Sequence, residues 1–194
     1  MEMRMLKWLR ERIPANLWAV SLFLLSKNHF SIRTSRKFFS MRTINDWLSE
    51  YGESHQNPTN KLVHWICVPA IFFSIVGLFY GIKLGVEVMP GLELNVAMIL
   101  LALAVLYYLR LSPALSVGML LFSALCLYLA QQIEATGLVL WQVCVAIFVA
   151  AWIGQFWGHK VEGKKPSFFK DLQFLLIGPA WLMSFVYGKL GVRY

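Results

Sequence analysis

Charged side chains are scarce in this chain of 194 residues. They make up 14% of the sequence, whereas hydrophobic residues make up 58%. A soluble domain usually carries about a quarter charged residues, so the composition excludes an ordinary water-soluble globular domain. The charge is missing chiefly from long uninterrupted stretches, which predicts that most of the chain is embedded in lipid.

Cysteine is scarce as well, with three residues in the whole chain. Cys67, Cys126 and Cys144 are scattered, and each lies within an apolar segment. We therefore interpret them as small buried hydrophobic side chains rather than as a disulfide or a metal site.

The formal net charge is +8, which in a soluble protein would suggest nucleic-acid binding. No basic run is interleaved with aromatic residues outside the apolar segments, so we expect no nucleic-acid partner. In a membrane protein, such an excess is typical of basic loops on the cytoplasmic side of the bilayer.

Five apolar segments are candidates for membrane-spanning helices, which need about 20 residues each. Their approximate bounds are 63–82, 92–109, 113–130, 138–157 and 172–187. The fifth contains Gly178-Pro179 and is expected either to span or to re-enter on the same side. Residues 83–91 are expected to form a short loop, and short connections favour antiparallel neighbours. The predicted fold class is all-α, a polytopic membrane helical bundle with four to five transmembrane helices.

A basic extension, residues 1–43, precedes the predicted membrane-embedded domain of residues 44–194. Within it, residues 13–25 indicate an amphipathic interfacial helix that is too short to span the bilayer. No small-residue cleavage site follows this apolar run, so we expect no cleavable signal peptide.

The order of the spans places three histidines at one membrane face. Four crossings put residues 1–62, Arg110 and the loop 158–171 on the same side, and His55, His64 and His159 lie at that side. If the fifth segment spans, this face holds 15 of the 18 Lys and Arg residues. Such a bias predicts that the histidine face is cytoplasmic.

The residues that lead into the first span have the spacing of a helix start. Asn57 is expected to cap a helix that begins at Pro58. Asn60 and His64 are four residues apart and would then share one face of that helix.

At the end of the fourth span, Trp152, Gln155, His159 and Glu162 recur at helical spacing and share one face. An imidazole and a carboxylate three residues apart can bind one metal ion. The candidate metal ligands and catalytic residues are therefore His55, His64, His159 and Glu162. Histidines at a membrane interface also serve as amphipathic anchors, and from the residues alone both interpretations stay open.

Two motifs in this chain resemble those of the yeast-type 2-hydroxy fatty acid dioxygenases. The first is Tyr51-x3-His55-x-Asn57-x2-Asn60-x3-His64-x4-Pro69. The second is Trp152-x2-Gln155-x2-Gly158-His159-x2-Glu162-x3-Pro166, followed by Gly178-Pro179. The resemblance covers about residues 44–190.

The resemblance implies a small polytopic membrane enzyme, of the bacterial inner membrane or, in a eukaryote, of the endoplasmic reticulum. It implies that Fe(II) and O₂ shorten a 2-hydroxy fatty acid by one carbon with release of CO₂. By position, His55, His64 and His159 are its functional histidines. We expect further residues to orient the imidazoles or bind substrate: Tyr51, Asn57, Asn60, Gln155, Lys160 and Lys164. The acyl tail is expected among the phenylalanines of the first span, Phe72, Phe73 and Phe79.

Two alternatives from other classes remain at this point. One is a haem-binding membrane electron carrier with two histidines as axial ligands. The other is a non-catalytic membrane scaffold or small transporter, which predicts neither bound metal nor O₂ consumption. The sequence leaves the oligomeric state and the number of metal ions open.

Overall fold

The computed structural model describes residues 42–163 and 174–194, and these residues form six helices and one β-hairpin. In chain order they are α1 (Ile44–Gly52), α2 (Pro58–Tyr80), β1 (Lys83–Met89), β2 (Leu92–Asn95), α3 (Val96–Leu111), α4 (Pro113–Ala135), α5 (Leu140–Glu162) and α6 (Ile177–Leu190). The predicted helix at 13–25, almost all of the extension 1–43, and Lys164 lie outside the described residues.

The predicted all-α fold class is confirmed. Three helices, α2, α4 and α5, have 23 residues each and are long and apolar enough to cross a membrane. The other two predicted spans correspond to shorter helices: α3, which is apolar and has 16 residues, and α6, which has 14 residues. At about 1.5 Å per residue, α3 is about 24 Å long, which is about 10 Å shorter than each of the three 23-residue helices.

The expectation of a simple loop over residues 83–91 was wrong. These residues form β1, which pairs in antiparallel fashion with β2 in a register that includes Lys83 with Asn95 and Met89 with Leu92. The turn is the two-residue Pro90-Gly91, in which Gly91 adopts a φ of 76°. As a result, the span predicted to begin at residue 92 begins as a strand, and helix α3 starts only after Asn95. The Asn95 side chain caps α3 by accepting a hydrogen bond from the Met98 amide at 3.1 Å.

Helices α2 and α5 pack against each other in antiparallel fashion along their length, and small residues set their separation. A Cβ on Gly158 would lie 2.5 Å from Asn60 Oδ1, and a Cβ on Gly154 would lie 2.7 Å from Cys67 Sγ. Farther along, Gly77 of α2 faces Cys144 of α5. Glycines four residues apart are a common means of close helix approach in membranes.

This antiparallel packing brings the N-terminus of α2 beside the C-terminus of α5. We call this end of the bundle, which carries His64 and His159, the histidine end, and the opposite end the hairpin end. Asn57 caps α2 as predicted, since its side chain accepts a hydrogen bond from Thr59 N at 2.9 Å. Helix α1 begins with a capping box between Thr43 and Asp46 and also lies at the histidine end.

Helix α6 stays at the histidine end along its length. Near its start, Trp181 packs against Tyr51 with ring centroids 5.2 Å apart. Toward its end, the Tyr187 hydroxyl donates to the Ala114 carbonyl, one residue into α4, at 2.7 Å. Tyr51 and Ala114 both lie at the histidine end. Of the two expectations for residues 172–187, to span or to return on the same side, the arrangement therefore corresponds to the second. Residues 172 and 173 lie outside the described residues.

The position of α6 increases the difference in Lys and Arg content between the histidine end and the hairpin end. Lys189 and Arg193 follow Tyr187 closely, and the Tyr194 ring packs 6.3 Å from the Tyr187 ring, so the chain after α6 also remains at the histidine end. Within residues 42–163 and 174–194, Lys83 is then the one basic side chain at the hairpin end, where it pairs with Glu134 at 3.0 Å. A stronger imbalance of Lys and Arg favours a cytoplasmic histidine end.

We predict that a reporter fused after Tyr194 and one inserted in the turn at Ser112 report the same, cytoplasmic, side of the membrane. A reporter inserted between Pro90 and Gly91 should report the opposite side. Paired phosphatase and fluorescent-protein fusions measure this directly. A C-terminal reporter on the hairpin side would contradict the placement of α6.

Candidate metal centre

Three imidazole rings from separate parts of the chain meet at the histidine end. His55 lies in the turn between α1 and α2, His64 in the second turn of α2, and His159 in the last turn of α5. The ring centroids are 4.2 Å apart for His55 and His64, 5.1 Å for His64 and His159, and 5.6 Å for His55 and His159. All three side chains are buried, with 6% exposure or less. We call these residues the histidine cluster.

The geometry of the histidine cluster fits a single metal ion. One ring nitrogen from each residue lies within 4.8 Å of the other two. Three nitrogen donors that converge in a buried position are a typical ligand set for Fe, Zn, Cu or Ni.

Backbone carbonyls fix the tautomer of two of these rings. His55 Nδ1 lies 2.6 Å from the Tyr51 carbonyl oxygen, and His64 Nδ1 lies 2.9 Å from the Asn60 carbonyl oxygen. A carbonyl oxygen only accepts hydrogen bonds, so Nδ1 is the donor in both neutral rings and Nε2 keeps its lone pair. Metal-binding histidines commonly donate their second nitrogen to a carbonyl in this way, which holds the ring in orientation.

The Glu162 carboxylate binds the start of α2. Its Oε1 accepts from the Gln56 amide at 2.9 Å, and its Oε2 accepts from the Asn57 amide at 2.9 Å and from Asn60 Nδ2 at 3.0 Å. A negative charge at a helix N-terminus is also favoured by the helix dipole. We call these three hydrogen bonds the Glu162 clamp. Through it, Glu162 ties the end of α5 to the segment that separates His55 from His64.

Among the described residues, the side chains that lie close enough together to hold one metal ion are the three histidines, and Glu162 is not one of them. The sequence left two roles for Glu162, as a ligand or as an orienting residue. Both of its oxygens accept hydrogen bonds from N–H groups of α2 or the segment before it, which favours the orienting role. Asn60 also has an orienting role. It is fully buried, and besides its bond to Glu162 its Nδ2 donates to the Ser54 carbonyl at 3.3 Å.

Aromatic rings enclose the histidine cluster on the side of α1 and α6. The Tyr51 ring stacks on the His55 ring with centroids 4.2 Å apart and an angle of 14° between the planes. The Trp181 ring of α6 lies 5.4 Å from the His55 ring. Gly178 permits this packing, because a Cβ there would lie 3.1 Å from the Tyr51 hydroxyl and 3.2 Å from Val68 Cγ1.

A small cavity of about 40 Å³ opens beside the histidine cluster. His64, His159, Gln155 and Trp152 contribute to its wall, with Tyr51, Val68, Ile71, Phe174, Leu175 and Gly178 completing it. Gln155 is buried, with 7% exposure, and it places an amide among mostly apolar neighbours. Of the residues predicted to orient the imidazoles or bind substrate, Gln155 and Tyr51 line this cavity. Asn57 and Asn60 belong to the Glu162 clamp, and Lys160 is exposed at the end of α5.

The geometry argues against the haem alternative. Two axial histidines bind from opposite faces of a flat macrocycle, which requires a broad slot between their rings. Here the ring centroids lie 4.2 to 5.6 Å apart, and the adjoining cavity holds about 40 Å³. That space is on the order of one water molecule, far below the size of a porphyrin.

Sequence reasoning missed Trp181 and the Gly154/Gly158 pair. The glycine pair has a signal in the sequence, because Gly-x3-Gly in an apolar helix is the usual pattern of a close helix contact. Trp181 had no such signal, since its contact with His55 depends on α6 returning across the histidine end.

We predict that Glu162→Gln weakens metal binding by about 10- to 100-fold, the usual cost of losing a residue that supports metal ligands. The new amide would present an N–H group to a backbone N–H of Gln56 or Asn57. Glu134→Gln, at the exposed Lys83 pair, is the matched control and should leave the affinity unchanged. Metal titration of the detergent-purified protein provides the measurement.

The Co(II)-loaded protein separates the two roles of Glu162. When metal is saturating, Glu162→Gln should keep the wild-type d–d absorption bands, because the orienting role leaves the ligand set intact. Displaced bands at saturation would identify Glu162 as a ligand instead.

We predict that Gly158→Ala destabilises the fold by about 1–3 kcal/mol, the usual cost of overpacking, and lowers the metal content. The added methyl group would overlap Asn60 and thereby strain the Glu162 clamp. Gly188→Ala makes the same chemical change in α6 where no atom lies within 4 Å. It should leave the thermal midpoint unchanged or slightly raised, because alanine favours a helix by up to about 1 kcal/mol.

Comparison with known proteins places these residues in a family. A family model described as "2-hydroxy-palmitic acid dioxygenase Mpo1-like" matches residues 41–190. The 2-hydroxy-palmitic acid dioxygenase MPO1 of Saccharomyces cerevisiae is 29% identical over 148 residues, which cover 74% of this chain and 79% of the yeast protein. No solved structure matches the chain. Because the family match extends over well more than half of the sequence, this chain belongs to the Mpo1-like family.

Proposed function

We propose that this protein is an Fe(II)-dependent dioxygenase that converts a 2-hydroxy fatty acid into the fatty acid one carbon shorter, with release of CO₂. The observation that carries the proposal is the buried histidine cluster in a chain of a dioxygenase family. Membership of the family supports a reaction of O₂ with a hydroxylated fatty acid. The histidine cluster supports a bound metal ion as the group that makes this reaction possible.

The stoichiometry suits a small enzyme with one metal site. A 2-hydroxy acid R–CH(OH)–COOH and O₂ yield R–COOH, CO₂ and H₂O. The bond between the carboxyl carbon and Cα breaks, and Cα becomes the new carboxyl carbon. The substrate supplies all four electrons that reduce O₂, so the reaction needs no separate reductant or reductase.

In this proposal, His55, His64 and His159 hold Fe(II). When bound, the iron supplies the one-electron chemistry that lets O₂ react with a closed-shell substrate. Three neutral imidazoles leave the ion its full charge, whereas a carboxylate ligand would reduce it. A site with that charge attracts an anionic substrate that offers a carboxylate and a neighbouring hydroxyl.

The residues around the histidine cluster would bind and shield the substrate head group. Gln155 lines the small cavity between His64 and His159, where its amide can donate a hydrogen bond to the substrate carboxylate. Tyr51 and Trp181 cover the His55 side with apolar ring surface and exclude water there. Lys160 and Lys164 would attract the carboxylate to the mouth of the site.

We place the protein in the membrane as a multi-pass protein with the site at the cytoplasmic face. The three long apolar helices support membrane association, and the basic residues at the histidine end support its orientation. The substrate would arrive from the bilayer, into which long-chain fatty acids partition at about 0.8 kcal/mol per CH₂ group.

The proposal predicts that His64→Ala and His159→Ala each lose bound iron and lower turnover by several orders of magnitude. Iron analysis and O₂ consumption with 2-hydroxypalmitate measure both quantities on detergent-purified protein. His29→Ala is the control, because the sequence leaves this fourth histidine outside the cluster; it lies outside the described residues. Full iron content and turnover in both cluster variants would place the site elsewhere. Wild-type protein with neither metal nor O₂ consumption would favour the scaffold or transporter alternative.

A further inference from the structure

A second, larger cavity lies between α2 and α3. Its volume is about 540 Å³, within the range of about 300–1,000 Å³ typical of small-molecule pockets. Its lining is apolar and includes Phe72, Val76 and Phe79 of α2 and Leu100 and Ala104 of α3. We call this cavity the α2–α3 groove. Phe73, expected at the tail from the sequence, does not line it.

One face of α2 connects the histidine cluster to this groove. His64 and Val68 line the small cavity at the cluster, whereas Phe72, Val76 and Phe79 line the groove. These positions follow one another at intervals of three or four residues, so they lie on one side of the helix. The stripe from His64 to Phe79 is about 22 Å long at about 1.5 Å per residue.

Leu175 is the one residue in the described part of the chain that lines both cavities, so it lies on the boundary between them. The neighbouring Leu176 lines the groove, and its carbonyl accepts a hydrogen bond from the Tyr108 hydroxyl of α3. Tyr108 is buried, with 1% exposure, so this bond holds the 175–176 segment against α3. The segment is therefore a fixed part of the boundary between the metal centre and the groove.

We propose that the α2–α3 groove binds the alkyl tail of the substrate and that Leu175 marks the passage from head group to tail. This assignment rests on the proposed function. An extended alkyl chain advances about 1.3 Å per bond, given carbon–carbon bonds of about 1.5 Å. The whole stripe of about 22 Å from His64 to Phe79 therefore matches a fatty acid of about 16 to 18 carbons, head group included.

The groove is open on one side, as a site filled from the bilayer must be. Leu100 and Leu103, both on its wall, are 42% and 57% exposed. A tail could thus enter sideways between α2 and α3 without leaving lipid, while its carboxylate reaches the cluster at the histidine end. A hydrophobic lining with no charged side chain among its residues selects an alkyl chain over a polar ligand.

A pair of alanines on α3 tests the groove. Ala104 lines it one turn from Tyr108, near the passage at Leu175, whereas Ala102 is exposed and does not line it. Ala104→Phe would fill the groove close to the passage, and Ala102→Phe makes the same change on the surface. Turnover is measured for 2-hydroxy acids from six to twenty carbons, together with iron content.

For Ala104→Phe, the Michaelis constant for 2-hydroxypalmitate should rise by about tenfold or more, because several methylene groups lose their apolar contacts. Turnover of 2-hydroxyhexanoate should stay within about twofold, since iron content and the reacting geometry are untouched. Ala102→Phe should resemble wild type at every chain length. Identical chain-length profiles for the two variants, with wild type active on 2-hydroxypalmitate, would overturn the groove and leave the proposed function intact.

A binding measurement tests the groove even if wild type turns over no 2-hydroxy acid. A 2-hydroxypalmitate analogue with a diazirine near its methyl end is irradiated with the full-length protein in detergent, and the labelled residues are mapped. Labels at Phe79, Leu100 or their neighbours on the groove, lost in Ala104→Phe and kept in Ala102→Phe, support the assignment. Labels confined to other lipid-facing helices would refute it.

Discussion

The close approach of α2 and α5 is the constraint on which the rest of the site depends. Lipid provides no hydrophobic force between helices, so their association relies on van der Waals contact and on polar groups that satisfy each other. Gly154 and Gly158 let the two backbones approach closely enough for van der Waals contact and for hydrogen bonds between the helices. At the level of Gly158, Asn60 fills the space that a side chain would take. Only at this separation can Glu162 reach the amides at the start of α2, and only then do His64 and His159 face one another.

The three histidines are oriented by two different means. His55 and His64 each bond to a carbonyl four residues earlier in the chain, so their ring orientation is set locally by the turn or helix in which they lie. His159 comes from a distant helix, and the packing of α2 on α5 sets its position. The Glu162 clamp connects the locally oriented pair to His159, because it binds the segment between His55 and His64 to the helix that carries His159. An Mpo1-like protein can thus build a precise site from loops and helix ends, which are otherwise the parts of a helical bundle most free to move.

Features governed by local chemistry could be predicted from the sequence. Asn57 followed by Pro58 marks a helix start because both residues satisfy the unpaired groups found there, and α2 begins at Pro58. Apolar length identified the long helices, and the alternation of spans placed three distant histidines at one end. These inferences use only neighbours in sequence or the order of elements, and neither requires knowledge of which helix faces touch.

Features that depend on a contact between distant segments could not be predicted from the sequence. The spacing of His159 and Glu162 fits a shared metal, and it fits equally well a carboxylate that binds another helix; only the position of the α2 amides distinguishes them. Apolar composition could not tell whether α6 crosses or returns, because the same residues suit lipid and the packed surface of Tyr51 and Ala114. The hairpin at 83–95 was missed because residues 83–91 were judged only as a short connection and residues 92–95 only as the entrance to an apolar span. The pairing of β1 with β2 is itself a contact between two segments.

The return of α6 across the histidine end has a consequence for how the protein is made. The three histidines of the cluster precede residue 160, whereas Trp181, whose ring lies beside that of His55, and Leu175, which lines one cavity with His64, come later in the chain. A nascent chain therefore contains all three imidazoles of the histidine cluster before it contains the ring and side chain that pack beside them. Helix α6 is synthesised after α2 and α5, so the order of synthesis delays the enclosure of the histidine cluster until α6 has packed across it.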